Sequence, residues 1–235
     1  MVTLVLAGFP PAMIAVIGLS GRSIPLKDLL IVTLVAIVSL LAQLLWATSN
    51  VYSELEGKSW IFLASRPRGR ISLFLGKYFS AVAFSFAVCL IAISLSLGIR
   101  TYLMSTMVNP IGAWLGMCGT FLLACMTYSA VFSLIGTLFQ KRAMVFGAAY
   151  IILSEFILAN VPAIISKFTA RYHLQAIAAE WIGWLHPLPE EAFIEIFGET
   201  TLTFHLSCLL CAIALLLTLG SFIVTARQYI TAEEA

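Results

Sequence analysis

The sequence predicts an all-α membrane protein, a single transmembrane domain over 1–235 with six spanning helices. Three observations carry that expectation. Of 235 residues, 61% are hydrophobic and only 10% are charged, where soluble domains run nearer half apolar and a quarter charged. Mean hydropathy of +1.04 agrees, and a soluble globule has too little interior to hide that much apolar surface. The apolar residues also come in long runs separated by short polar breaks. Together these exclude a cytosolic enzyme, a disordered chain and a nucleic-acid-binding domain. The formal charge of +2 says less than where the charges fall.

A spanning helix needs about 20 mostly apolar residues. Six runs qualify or nearly do: Val2–Leu19, Leu29–Ala47, Ile71–Leu97, Ile111–Phe139, Ala143–Ile165 and Leu202–Thr225. In lipid every backbone polar group must be satisfied internally, so such runs are helices. Barrel strands would instead alternate apolar and polar over short segments. The first run has no basic segment before it, so it reads as a span rather than a cleaved signal peptide. Its Pro10 and Pro11 are expected to kink or break it, and a late start with an upstream segment missing is expected. No internal repeat stands out.

Lys and Arg set the orientation. Lys58, Arg66, Arg68, Arg70 and Lys77 lie between the second and third runs, Lys141 and Arg142 between the fourth and fifth, and Arg227 after the sixth. With six alternating spans these eight share one side. Arg22, Lys27, Arg100, Lys167 and Arg171 share the other. The eight, and both termini, belong in the cytoplasm.

Two connections are more than turns. The cytoplasmic one, 50–70, starts as the polar end of a span. It continues with Trp60, Ile61, Phe62 and Leu63 against Glu54, Glu56 and Lys58, and Arg66-Pro67-Arg68 turns it back. A short amphipathic helix at the cytoplasmic surface is the expected structure. The extracytoplasmic connection, 166–201, carries a second amphipathic stretch at Tyr172–Leu185. Trp181, Trp184 and Tyr172 there suit an aromatic belt at the membrane interface. His186-Pro187-Leu188-Pro189 ends that helix.

Chemistry-bearing residues are few. Glu155 is the one acid deep in a span, where a carboxylate costs several kcal/mol unless neutral, paired or wet. It is expected either to be protonated and bonded to Ser154 or to Gln43 on a neighbouring helix, or to mark a translocation path or subunit interface. Asn160 and Pro162 would loosen the same helix. Gly112, Gly116 and Gly119 place small residues where helices approach closely, within the subunit or at a dimer face. Cys89, Cys118, Cys125, Cys208 and Cys211 all lie in apolar runs and are expected to be packing thiols. The Cys208-x-x-Cys211 pair, with only His205 nearby, falls short of the four donors of a zinc site.

No catalytic, cofactor-binding or metal-ligating set is expected. A phosphate-binding loop needs Gly-x4-Gly-Lys-Ser/Thr, but six residues separate Gly69 from Gly76 and Tyr78 follows Lys77. An intramembrane enzyme could be sought in His186, Glu190, Glu191 and His205. The first three fall in a proline-broken loop and His205 stands alone on an apolar face. A secondary transporter is the other alternative, though the two halves do not visibly match.

The acidic pair Glu54 and Glu56, then Gly57, Leu63, Ser65, Pro67, Arg70, Gly76 and Lys77, resembles the pattern of ABC-2 type permeases. These are the six-helix membrane subunits of ABC transporters, mostly exporters. Lys58 stands where that family usually has Thr, and the family's opening amphipathic helix is missing here. The resemblance implies a permease of a plasma (inner) membrane. Its partners would be a separate ABC ATPase subunit, a second permease copy or a related permease, and membrane lipid. Glu54, Glu56, Gly57, Trp60, Leu63 and Pro67 would then form the ATPase-coupling segment. An ordinary charged connector is the alternative reading of the same loop.

Overall fold

The computed structural model describes residues 2–19, 27–48, 69–104, 110–139, 142–157, 167, 169–182 and 201–226. All regular structure among them is helical. Helices α1 (Val2–Leu19), α2 (Lys27–Ala47), α3 (Gly69–Met104) and α4 (Pro110–Leu138) come first. Next, α5 (Ala143–Tyr150) runs on into a π-helix (Ile151–Ile157). Then follow α6 (Ala170–Ile182) and α7 (Leu202–Ala226).

Three of these, Gly69–Tyr102 within α3, α4 and α7, are long and apolar enough to cross a membrane. Their outward faces are apolar as well. Phe79, Phe84, Ile91 and Leu95 on α3 and Leu210, Leu215, Leu219 and Phe222 on α7 are all exposed. A helix apolar on both inner and outer faces belongs in lipid, because water would not tolerate the outer one. The coding of an integral membrane protein in the composition is thus carried into the packing.

The bundle is organised around α4, which touches α2, α3, α5, α6 and α7, while α1 lies against α2 and α3. One continuous core joins Val35 and Leu44 of α2, Tyr78, Cys89 and Ile93 of α3, Met117, Phe121 and Phe132 of α4, Leu174 and Ile177 of α6 and Leu209 and Ile213 of α7. Close approach is set by glycine. At Gly136 an added Cβ would sit 2.7 Å from the Thr48 carbonyl oxygen, and at Gly147 it would sit 2.5 Å from Leu44 Cδ1. These two contacts lock the ends of α2, α4 and α5 together.

Several expectations change. The third run is longer than its apolar stretch: α3 has 36 residues and takes in Arg100, which is buried rather than in a connecting loop. Helix α1 runs through Pro10 and Pro11 unbroken. Both prolines are buried, so neighbouring helices support the segment where its own hydrogen bonds are lost. The fifth run is helical from Ala143 to Ile157 but changes from α to π at Ile151, and 158–166 lie outside the described residues. The amphipathic stretch does form a helix, at Ala170–Ile182. It packs on α4 and α7, with Leu174, Ile177 and Ala178 buried. Trp181 presses onto the glycine face of α4. An added Cβ at Gly116 would lie 2.7 Å from the Trp181 carbonyl oxygen, and one at Gly119 2.7 Å from its ring. Those glycines therefore serve packing within the subunit.

Candidate functional site

The site grows out of the α-to-π change. A π-helix closes i→i+5 hydrogen bonds and so turns more widely, a local feature frequent at functional sites. Here it aims Ile151, Ser154 and Glu155 inward while Ile152, Leu153 and Ile157 face outward. Gly147 anchors the preceding turn against Leu44, Thr48 and Phe132. An aromatic ladder carries the register across to α4: the Tyr150 ring meets Phe132 edge-on at 6.1 Å, and Phe132 stacks on Tyr128 at 6.5 Å. The Tyr128 hydroxyl thereby reaches the Glu155 carboxyl.

Glu155 is 3% exposed. The Tyr128 and Ser154 hydroxyls face its carboxyl, and Arg171 brings positive charge near it. Ser154 also donates to the Tyr150 carbonyl at 2.8 Å. Arg171, from α6, donates through Nη1 to the Glu155 backbone carbonyl at 2.7 Å. One carboxyl oxygen, Oε1, has no hydrogen-bond partner. Gln43, a partner expected from the sequence, does not pair with Glu155, since neither of its amide atoms has a partner. Tyr128 and Arg171 stand in its place. No spacing rule links 128, 155 and 171, so only the folded chain reveals the set.

A second cluster fastens α6 to α7. His173 Nδ1 and His205 Nδ1 are 2.9 Å apart, and the Tyr172 ring meets both imidazoles edge-on. His205 is therefore not alone on its helix. One imidazole must donate and the other accept, so two doubly protonated rings are incompatible with the contact. Burial lowers the His173 pKa, with a hydrogen bond to the Lys167 backbone opposing it. His173 stays neutral when docked, at a pH where a free imidazole charges. The undocked helix then binds more protons, so docking is complete above the ordinary value of 6.5 and weakens as pH falls through it. Hydrogen exchange of the α6 amides, corrected for intrinsic rates, is expected to show more opening at about pH 5.5 than at about pH 7.5. A His173→Gln, His205→Gln double variant is expected to flatten that difference. An equal response in wild type and variant would assign the effect to other groups.

The expected coupling residues Glu54, Glu56, Gly57, Trp60, Leu63 and Pro67 lie outside the described residues. Of the flanking pattern, Arg70, Gly76 and Lys77 fall on α3. Arg70 Nη1 donates to the Thr225 carbonyl at 3.3 Å, satisfying a carbonyl near the end of α7. All five cysteines are free thiols. Among the described residues no group of three or more His, Cys, Asp or Glu side chains comes together. Comparison with protein-family models, with curated proteins and with solved structures gives no match to this chain.

Proposed function

We propose that the chain is the membrane-spanning permease subunit of an ABC-2 type ABC transporter, with six spans and both termini in the cytoplasm. One structural observation supports a transport role above others: a carboxyl side chain, 3% exposed, held in a bundle of apolar helices at an α-to-π change. Intramembrane acids are costly, and they are found along substrate or ion pathways. The acidic pair, Gly57 and the Pro67 turn support the ABC-2 assignment and the coupling role of 50–70. In this reading Trp60 anchors the segment in a groove of the ATPase, because a buried aromatic commonly dominates an interface. Glu54 and Glu56 set its orientation by charge. The loop must bind the two ATPase states unequally, or no work reaches the helices.

The full chain, co-expressed in turn with the ABC ATPase subunits of its source genome, is expected to co-purify with one of them and to support substrate-stimulated ATP hydrolysis in nanodiscs. Glu54→Lys with Glu56→Lys is expected to remove both while membrane insertion is unchanged, since like-charge contact across an interface costs several kcal/mol. Wild-type coupling in the double reversal would reduce 50–70 to an ordinary connector. Transport without any ATPase, abolished by a proton ionophore, would make the chain a secondary carrier with Glu155 as its proton site.

A further inference from the structure

Away from Glu155, several interior side chains, Ser96 on α3 among them, carry polar atoms that the protein leaves without hydrogen bonds, and three of them fall close together. Gln43 on α2, Ser85 on α3 and Ser129 on α4 are each 0% exposed. Both amide atoms of Gln43 and both serine Oγ atoms have no partner. Buried polar groups are nearly always paired, so each exception asks for an occupant.

Helix register brings the three to one level. The Cys89 thiol of α3 meets the Cys125 thiol of α4. Ser85 is four residues before Cys89 and Ser129 four after Cys125, so each lies one turn along the same face of its helix. The two helices run in opposite directions there, because Trp114, early in α4, bonds Ser94 of α3 while Tyr78, early in α3, bonds the Met126 carbonyl. The two steps therefore go the same way, and Ser85 comes opposite Ser129. On the α2 side, Trp46 stacks on Phe84 at 4.9 Å and Val38 packs with Val88, which puts Gln43 level with Ser85. Thr48 lies against Gly136, and Leu44 and Phe132 converge on Gly147, so Gln43 also falls within a turn of Ser129.

We infer that Gln43, Ser85 and Ser129 form an internal hydration site, holding one or two bound waters between α2, α3 and α4. Donor and acceptor balance selects the occupant. The amide supplies two N–H donors and one oxygen, and each hydroxyl both donates and accepts. A metal cation would find three neutral oxygens and two opposing N–H groups, too few and wrongly charged. An anion would find no cationic side chain among the three. Water makes two to four bonds of either polarity and fits the set. The consequence is a wet polar layer in a span otherwise packed with Cys89, Ile93, Cys125 and Phe132. It lies at the height of Tyr128 but on a different face of α4 from the Glu155 site.

Water-edited solid-state NMR on the full-length, 15N-labelled protein in liposomes tests this directly. The Gln43 side-chain amide, assigned by its loss in Gln43→Leu, is expected to receive magnetisation from water several-fold faster than the backbone amides of Ala92 and Ile93. Ser85→Val with Ser129→Val, which fills the space and removes two partners, is expected to cut that transfer to the Ala92 level. Transfer to Gln43 no faster than to Ala92 in the wild type would overturn the inference. So would unchanged fast transfer in the double valine variant, because the water would then lie elsewhere.

Discussion

Gly116→Leu is expected to undock α6 from α4. The added Cβ would lie 2.7 Å from the Trp181 carbonyl oxygen and 3.0 Å from its carbonyl carbon. Both are backbone atoms, so no side-chain rotation relieves the clash and the helix itself must shift. Overpacking of this kind costs roughly 1–3 kcal/mol, and more where backbone must move. The shift also draws Arg171 from the Glu155 carbonyl and His173 from His205, since one rigid helix carries all three contacts. Hydrogen exchange is expected to show loss of protection across 170–182, with a lowered melting temperature in detergent. Gly119→Leu is expected to do less, because its nearest neighbours are Trp181 ring atoms and that side chain is 37% exposed. Gly98→Ala is the control: nothing lies within 4 Å of it, and alanine favours a helix by about 1 kcal/mol. Full α6 protection in Gly116→Leu would show that α4 and α6 separate without cost.

The second large effect is expected at Arg171. Arg171→Met removes the hydrogen bond to the Glu155 carbonyl and the positive charge near the Glu155 carboxyl, a loss of about 1.5–3 kcal/mol for a charge-assisted hydrogen bond. Glu155→Gln alone is expected to keep the fold and, under the proposed function, much of the transport, because the amide takes the place of a protonated acid and its oxygen still accepts from Tyr128. The double variant separates the two parts of the Arg171 effect. With Gln at 155 there is no acid for the guanidinium to act on, so the second substitution is expected to cost less than it does alone. Strict additivity of the two melting shifts would mean that Arg171 acts on the backbone carbonyl only. Complete loss of transport in well-folded Glu155→Gln would instead require the acid to ionise.

The membrane class and the helices were legible because hydropathy is local: about 20 apolar residues in a row have one stable form in lipid. Helix ends were less legible. Arg100 looks like a loop residue by charge, yet α3 continues past it, because neighbouring helices rather than hydropathy set where a helix stops. The glycines of α4 were readable as a packing face, but not that Trp181 fills it. Glu155 declared itself as a lone acid, whereas Arg171 and Tyr128 did not, since their roles depend on α6 folding back onto α4. His205 looked isolated for the same reason: its partner lies 32 positions away. The proposed coupling role of 50–70 rests on its residue pattern alone.

The 36 residues of α3 make a rod about 54 Å long at 1.5 Å per residue, against a hydrocarbon core of about 30 Å. Its two ends are attached to different parts of the molecule. Arg70 at the start holds the end of α7 through Thr225, and Ser94 in the far half is bonded by Trp114 of α4. A continuous helix resists bending, so the rod behaves as a lever. Tilting it by about 5° displaces one end relative to the other by roughly 5 Å, close to one helical turn. A small angular push delivered at Gly69, the start of α3, therefore arrives at the opposite end as a translation large enough to change which side chains meet.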